Sequence, residues 1–446
     1  MKIIIAGAGE VGTHLAKMLS KENHNITVID NNSKKLDFLE NHTDILGISD
    51  NAVSPSVLKD AGVNDTDLFI AVTQSEETNI TSSLLAKKIG AKQTIARIDN
   101  KEYLDPINNK IFKEVGIDSL IYPQKLASEE IIELLKQTGI SEKIDFHKDQ
   151  LSLYVIKLEE NAPILNKSLI EVAQMSADLN YRAVAIYRDN KTIIPKGDDI
   201  FKLNDLVYTI STKTGVKNLL EITGRKNIDI KNIMILGGSR IGKRLAKELQ
   251  KHHSVKLIER DFDKCESLAN ELDNTLILNG DGSDTELLLE EGVKKMDAFI
   301  AVTENSETNI LSCLLAKRFG VKKTIAEIEN IDFIDLAEDI GIDTIVNKKL
   351  IAASHIFSYT LSAEVTSFKM LTGTDAEVIE IIAHKDSKII GKALSKIDFP
   401  KNAIIGGIIR NEESIIAKGS TVINVNDKVV VFSLPTAIKE IEKFFK

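Results

Sequence analysis

Basic residues do not predominate in this chain: 57 lysines and arginines face 66 aspartates and glutamates, for a net charge of −9. A general nucleic-acid binder needs a basic face, so that class is excluded, while local basic patches are not. Long hydrophobic runs are absent too. No apolar stretch approaches the roughly 20 residues needed to cross a bilayer, and Met1 leads straight into a strand pattern, not a charged and apolar leader. The expectation is a cytosolic chain, or one peripheral on a membrane partner. Only two cysteines occur, Cys265 and Cys313, outside any C-x-x-C spacing. They form no disulfide framework, which fits a reducing compartment, and Cys313 within Leu311-Ser312-Cys313-Leu314-Leu315 reads as a buried structural thiol. The eight histidines include no H-x-x-x-H pair, so no metal is indicated, and adjacent His252 and His253 read as solvated loop residues.

What remains is ordinary globular material, 43% apolar and 28% charged over 446 residues. That length exceeds the roughly 250 to 300 residues at which single cores stop growing, so several domains are expected. The chain is organised around its first dozen residues. An apolar run, Lys2-Ile3-Ile4-Ile5-Ala6, ends on Gly7-Ala8-Gly9-Glu10-Val11-Gly12, and a helical pattern of Val11, Leu15, Met18 and Leu19 follows. In such a strand–turn–helix, Gly7 supplies the tight bend, Gly9 lets the backbone approach a pyrophosphate, and Gly12 lets helix and strand pack closely. Free N–H groups and the positive end of the helix dipole face the phosphates. Ile26-Thr27-Val28-Ile29-Asp30 reads as a second strand ending in a carboxylate placed to accept from both hydroxyls of an adenine ribose. A carboxylate there repels a 2′-phosphate and favours NAD(H) over NADP(H); it does not separate NAD from ATP, ADP or AMP.

Further along, Ile45–Ile48, Asp67–Thr73 and Gln93–Arg97 read as strands and Glu76 to about Ile89 as a long helix. Such alternation predicts a parallel, doubly wound sheet whose ligand lies at the C-terminal strand ends, where Gly7, Asp30, Asp50, Thr73 and Arg97 fall. The chain then repeats itself. Asp67-Leu68-Phe69-Ile70-Ala71-Val72-Thr73 with Glu77-Thr78-Asn79-Ile80 returns, 230 residues later, as Asp297-Ala298-Phe299-Ile300-Ala301-Val302-Thr303 with Glu307-Thr308-Asn309-Ile310. A smaller unit follows each copy: Arg182–Arg188, Ile193-Ile194-Pro195-Lys196-Gly197 and Asp205–Ile210 have twins in Ala403–Arg410, Ile415–Gly419 and Asp427–Phe432. The expected organisation is 1–122, a linking helix 123–139, 140–225, then 229–346, a linking helix 347–360, and 361–446. Thr223-Gly224-Arg225-Lys226-Asn227 is the hinge candidate.

The halves differ at the phosphate turn. Gly237-Gly238-Ser239-Arg240-Ile241-Gly242 has Ser239 where Gly9 stands, Glu259 followed by Arg260 replaces Asp30, and Glu327 replaces Arg97. These changes weaken or alter ligand choice in the second half. The run into Lys243-Arg244 nearly spells a Walker A loop, but Arg244 takes the place of the Mg²⁺-binding hydroxyl, and a degenerate copy of Gly7–Gly12 explains it better than an ATPase does. Asp50, Asp281 and Glu259 are acidic groups that could bind a cation, though their spacing does not demand one.

Taken together, Gly-Ala-Gly-Glu-Val-Gly at the start, Ala-Val-Thr…Glu-Thr-Asn-Ile in both halves and Ile-Ile-Pro-Lys-Gly…Asp in the first small unit resemble the TrkA family of potassium-uptake regulators, over essentially the whole chain. The resemblance implies two RCK (KTN) domains of Rossmann-like fold, each followed by a small α+β TrkA-C domain. It implies a cytosolic protein that binds NAD(H) and the adenine nucleotides ATP or ADP, forms a homo-oligomeric, tetrameric ring, and docks beneath a membrane potassium-translocating subunit of the TrkH/TrkG type. The implied contacts are Gly7, Ala8, Gly9, Glu10, Val11, Gly12, Asp30, Asp50, Thr73, Gln74 and Arg97. In the second half they are Gly237, Gly238, Ser239, Arg240, Ile241, Glu259, Asp281 and Val302. Ile48-Ser49-Asp50 lacks the family's Gly-Asp pair, which Gly280-Asp281 retains. Ligand in the nucleotide domains would change the angle between units or between subunits, with Arg97 sensing phosphate charge. An NAD-dependent oxidoreductase is the rival reading, opposed by the lack of a His/Asp or Ser/Tyr/Lys constellation; Tyr103 and Tyr122 read as packing. A nucleotide sensor acting on another partner is the third.

Overall fold

A computed structural model describes residues 1–21, 24–135, 142–147, 150–175, 180–189, 191–224, 229–360, 365–371 and 376–445. The ends of the expected first linking helix (136–139) and hinge (225–227), and the expected boundaries at 140 and 361, lie outside them. Two compact units result, one of residues 1–126 with 348–362, the other of 127–347 with 363–446.

The first unit is built on a six-stranded sheet of β1 (Lys2–Ala6), β2 (Asn25–Asp30), β3 (Leu46–Ser49), β4 (Leu68–Ala71), β5 (Gln93–Arg97) and β6 (Ser119–Ile121). Its order is β3-β2-β1-β4-β5-β6 and every pairing is parallel. This is the Rossmann-like doubly wound arrangement, in which strand order reverses between β1 and β4 and leaves a crevice at their C-terminal ends. β4, and β1 after Lys2, are apolar throughout because helices cover both faces. The helix Glu10–Lys21 buries Val11, Leu15, Met18 and Leu19 along one stripe. In the helix Glu76–Ile89, Ser75 accepts from the Thr78 N–H, Glu76 and Glu77 occupy the first turn and Lys87 and Lys88 the last, and Gly90 ends it at φ +142°. Cap, charges and terminator thus all agree with the helix dipole. Tyr103 stacks at a tilt on Phe112, 4.8 Å between centroids, and Tyr122 is buried.

The second unit repeats that sheet with β12 (Asn232–Leu236), β13 (Ser254–Glu259), β14 (Thr275–Asn279), β15 (Ala298–Ala301), β16 (Lys323–Glu327) and β17 (Thr344–Val346), in the order β14-β13-β12-β15-β16-β17. It also holds both small domains. One has β7 (Glu142–Phe146), β8 (Leu151–Lys157), β9 (Tyr181–Arg188), β10 (Lys191–Ile193) and β11 (Leu206–Thr212) in antiparallel order β10-β9-β11-β8-β7. Its twin has β18 (Val365–Met370), β19 (Glu377–Ile382), β20 (Ala403–Arg410), β21 (Glu413–Ile416) and β22 (Lys428–Ser433) in order β18-β19-β22-β20-β21.

These two sheets share one core. Leu153, Val155, Tyr208 and Ile210 of the first pack with Val378, Ile409, Val430 and Phe432 of the second, and the Tyr208 and Phe432 rings lie 5.9 Å apart. The Arg182 guanidinium donates to the carbonyls of Ile405 at 3.3 Å and Ala417 at 2.6 Å, and burial draws its pKa down. Antiparallel sheets commonly leave one face to solvent. Instead β8 is buried on both, because Leu153 and Val155 face the shared core while Tyr154 and Ile156 meet Leu219 of the helix Val216–Ile222. Gly406 marks the tightest approach: a Cβ there would lie 1.9 Å from Ile210 Cδ1. Gly406→Val is therefore expected to overpack this core by about 1–3 kcal/mol and to lower the calorimetric melting temperature, whereas a valine accommodated at no cost would show the two sheets to be separable.

Candidate functional site

Along the crevice of the first sheet, hydrogen bonds run from one strand end to the next. Gly7, at φ +111°, turns the chain after β1, and a Cβ on it would touch the backbone of Thr73 at 2.9 Å. Gly12 sits under the turn, where a Cβ would fall 1.9 Å from the Gly7 carbonyl oxygen. Around Gly9 the situation reverses, since nothing lies within 4 Å of a built Cβ. The one glycine of the three that packing does not require is the one facing open space. Asp30, ending β2, accepts the Ala8 N–H on Oδ2 at 2.6 Å and the Asn32 N–H on Oδ1 at 2.9 Å. Two fixed donors orient the carboxylate, and each oxygen retains acceptor capacity for a ribose hydroxyl.

Asp50 follows β3 and is exposed; its N–H reaches the Asp30 carbonyl at 3.1 Å and its Oδ1 accepts from Asn51. Past β4, Thr73 gives both its N–H (2.8 Å) and its hydroxyl (2.7 Å) to Oδ1 of Asn79, and Gln74 is exposed beside it. Asn79 Nδ2 donates to the carbonyls of Thr73 and Arg97, tying the ends of β4 and β5 together. This asparagine was legible only as part of a repeated phrase. Its twin Asn309 does the same for Thr303 and Glu327. Arg97 points Nη2 at Asp99 Oδ1, 3.5 Å away, while its buried Nε–H has no hydrogen-bond partner. Glu76 accepts from the N–H groups of Asp99 and Asn100, fixing the loop that carries Asp99. Val11 is buried in the helix; Glu10, at its start, forms an ion pair with Lys349 that sequence spacing could not reveal.

The second copy keeps the frame and fills the space. Gly237 has φ +104°, and a Cβ on Gly242 would again lie 1.9 Å from a glycine carbonyl oxygen, that of Gly237. Glu259 takes the place of Asp30, accepting from Gly238 N–H at 2.8 Å and Asp261 N–H at 2.9 Å. Ser239 turns its hydroxyl inward, donating to the Val302 carbonyl at 2.7 Å and accepting the Gly242 N–H at 3.3 Å. The serine thus occupies the room that Gly9 leaves free. Ile241 is buried and Arg240 exposed. Asp281 is bound by the N–H and hydroxyl of Ser283, which hold its carboxyl below the usual range. An open cleft of about 420 Å³ is lined by Glu259, Arg260, Asp261, Phe262, Asp263 and Lys264. Both cations of the near-Walker sequence have protein partners, Lys243 with Glu271 and Arg244 with Glu129. Burial raises the Cys313 and Cys265 thiols; Cys313 points at the Ile325 carbonyl and Cys265 at that of Glu259, as structural groups do.

His253 is less solvated than its position in a turn suggests, because its Nδ1 lies 3.0 Å from the Ile230 carbonyl. Among the described residues no group of three or more histidine, cysteine or carboxylate side chains converges as a metal site, and no helix is long and apolar enough to cross a membrane.

Comparison with known proteins gives this geometry its context. The TrkA-N domain matches residues 3–123 and 233–348, and the TrkA-C domain residues 153–224 and 378–446. The Trk system potassium uptake protein TrkA of Vibrio alginolyticus is 35% identical, covering 100% of this chain and 99% of the relative. The TrkA homolog of Archaeoglobus fulgidus is 35% identical with 100% of both chains covered. These relatives are named for potassium uptake and not for catalysis. Among solved structures, the GsuK RCK domain matches with a TM-score of 0.60 at 16% identity, covering 100% of this chain and 94% of that one. The GsuK channel bound to NAD matches at 0.59 and 16%, covering 100% and 78%. Two nucleotide-type folds and two small α+β domains in tandem, matched along their whole length by such relatives, place the chain in the TrkA family of Trk system potassium uptake proteins.

Proposed function

We propose that this chain is the nucleotide-binding regulatory subunit of a potassium-uptake system, and that its first Rossmann-like fold holds NAD(H) or an adenine nucleotide. The open space at Gly9, directly beside the anchored Asp30 carboxylate, carries this reading. A pyrophosphate can approach the backbone there, while the ribose meets a carboxylate already oriented by two N–H donors. The NAD-bound GsuK channel, which has the same fold, supports the choice of ligand. The ligand contacts are those of Gly7–Val11, Asp30, Thr73 and Arg97, with Asp50 and Gln74 at the rim. In the second fold Gly237–Ile241, Glu259, Asp281 and Val302 form the corresponding site, with the Ser239 side chain where Gly9 leaves open space. The chain works on the cytosolic face as a homo-oligomeric, tetrameric ring, and ligand in the first fold biases the ring's action on a TrkH/TrkG-type membrane subunit. A ligand can shift that equilibrium only by its differential affinity for the two ring states.

Calorimetric titration with NADH, NAD⁺, ATP and ADP tests the site, repeated on Asp30→Ala. At least a tenfold loss of affinity is expected in the variant, since a charged acceptor of two ribose hydroxyls contributes about 1.5–3 kcal/mol. Unchanged binding would move the ligand to the second fold, and no binding to either protein would reduce both folds to scaffolds. Potassium flux through a co-reconstituted TrkH-type subunit, with and without each nucleotide, tests the gating.

A further inference from the structure

The helix Lys348–Phe357 follows β17 of the second nucleotide-type fold after a single residue, yet it belongs to the first compact unit. Ala352, Ala353, Ile356 and Phe357 bury its apolar side. Just beyond it the Tyr359 hydroxyl lies 2.6 Å from that of Ser119, on β6. In its first turn, Lys349 places Nζ 2.5 Å from Glu10 Oε2. The lysine side chain is 20% exposed and the glutamate 58%, so the cation is held while its partner stands toward solvent.

Glu10 is the first helical residue after Gly9. Its carboxylate therefore sits at the positive end of the same helix dipole that faces the phosphate turn. A phosphate entering that turn brings a second anion to the end of a helix that already carries one. The two anions repel unless a cation is shared between them, and Lys349 is a cation already paired with one of them. We propose that Lys349 is a phosphate-reading residue lent to the first site by the linking helix: it bridges Glu10 and the phosphates of a bound adenine nucleotide, so that phosphate charge tightens the seat of Lys348–Phe357. The proposal rests on the nucleotide-binding reading of that site. Linkage makes the effect reciprocal, because whatever affinity the ligand gains from Lys349 the helix seat gains in turn. Ligands with more phosphate charge gain more, so ATP tightens the seat more than NADH does. The polypeptide leading out of the second fold then registers occupancy of the first.

The test uses the full chain with ATP and NADH as probes, comparing wild type, Lys349→Gln, Lys349→Arg, Glu10→Gln and the Lys349→Gln/Glu10→Gln double variant. Affinities come from calorimetry, and the helix seat is followed by amide hydrogen exchange over 348–357. A partly screened charge pair of this kind predicts a loss of about three- to fivefold for ATP in Lys349→Gln and less than twofold for NADH. Lys349→Arg restores ATP affinity, Glu10→Gln raises it by removing the competing anion, and the double variant lies between the two single variants. ATP slows exchange of 348–357 in wild type but not in Lys349→Gln. Equal ATP affinity in wild type and Lys349→Gln, with exchange indifferent to ATP, overturns the proposal and leaves the nucleotide reading standing. An equal loss for both ligands without an exchange response also overturns it, because Lys349 would then merely support the turn. Failure of wild type to bind either nucleotide overturns both.

Discussion

Gly12→Ala is expected to abolish nucleotide binding and to destabilise the first unit by about 3 kcal/mol, the upper end of the cost of overpacking a tight core. The added methyl carbon would lie 1.9 Å from the Gly7 carbonyl oxygen, a backbone atom that cannot swing aside. Gly7 cannot yield either, because its own Cβ direction points at the Thr73 backbone and its φ of +111° fits only glycine. Relief must come from moving the helix Glu10–Lys21 away from β1, which opens the phosphate turn and exposes Val11 and Leu15. Gly9→Val serves as the control. Nothing lies within 4 Å of that position, so the variant should fold with an unchanged melting temperature and lose only ligand. Scanning calorimetry and nucleotide titration of the two variants separate the roles: Gly12 for packing, Gly9 for access. A Gly9→Val protein that bound NADH and ATP like wild type would sink the assignment of the open side of the turn to phosphate. Gly9→Ser, which imitates Ser239, should lower affinity as well, its side chain standing in the space that is open beside Gly9.

Much of this frame was legible because local signals coincided. The glycine spacing, the apolar strand before it and the amphipathic stripe after it all specify one turn, and the 230-residue repeat gave each half a check on the other. β5 and the helix Glu76–Ile89 fall on the residues expected of them, since Ser75, the paired acids and Gly90 write their own boundaries. What was not legible depends on contacts that sequence distance hides. The ion pair of Glu10 with Lys349 spans 339 positions, and nothing in either local pattern points to the other. The shared core of the small domains was equally hidden, because a strand such as β8 is written as plain apolar residues whether one face is buried or two. Asn79 was visible as a repeated letter but not as a hub, since its value lies in four hydrogen bonds made to two other strand ends. In the same way Ser239 was readable as a missing glycine, while the direction of its hydroxyl required the Val302 carbonyl to be in place.

The largest loss of stability is expected from Asp205→Ala. Asp205 is 1% exposed and receives Arg188 Nε at 2.7 Å and Nη2 at 2.6 Å, a bidentate pair that raises the arginine's pKa. The Lys202 N–H adds a third hydrogen bond at 2.7 Å, and Arg188 also reaches the Ile200 carbonyl. One carboxylate thus joins β9 to the start of β11 and to the loop that leads into it. Removing it strands a half-buried guanidinium and an amide donor, and breaking one side of such a pair costs about 3–5 kcal/mol. Arg188→Lys should recover only part of this, because an ammonium cannot reproduce the planar two-point contact. The small domain's twin supplies an internal comparison: Arg410 and Asp427 make the same pair at 2.9 and 2.7 Å, with Asn424 in the role of Lys202. Both sheets close on one core, so losing either pair should loosen the other sheet as well. Hydrogen exchange of β19, β20 and β22 should therefore quicken in Asp205→Ala, alongside a fall in melting temperature by calorimetry. Replacing both partners, Arg188→Met with Asp205→Leu, should return most of the loss, since the cost lies in the uncompensated charge and not in the absence of an ion pair. If the single variant melted like wild type, or if exchange quickened only in β9 and β11, the two small sheets would be independent units and the shared core would contribute little to either.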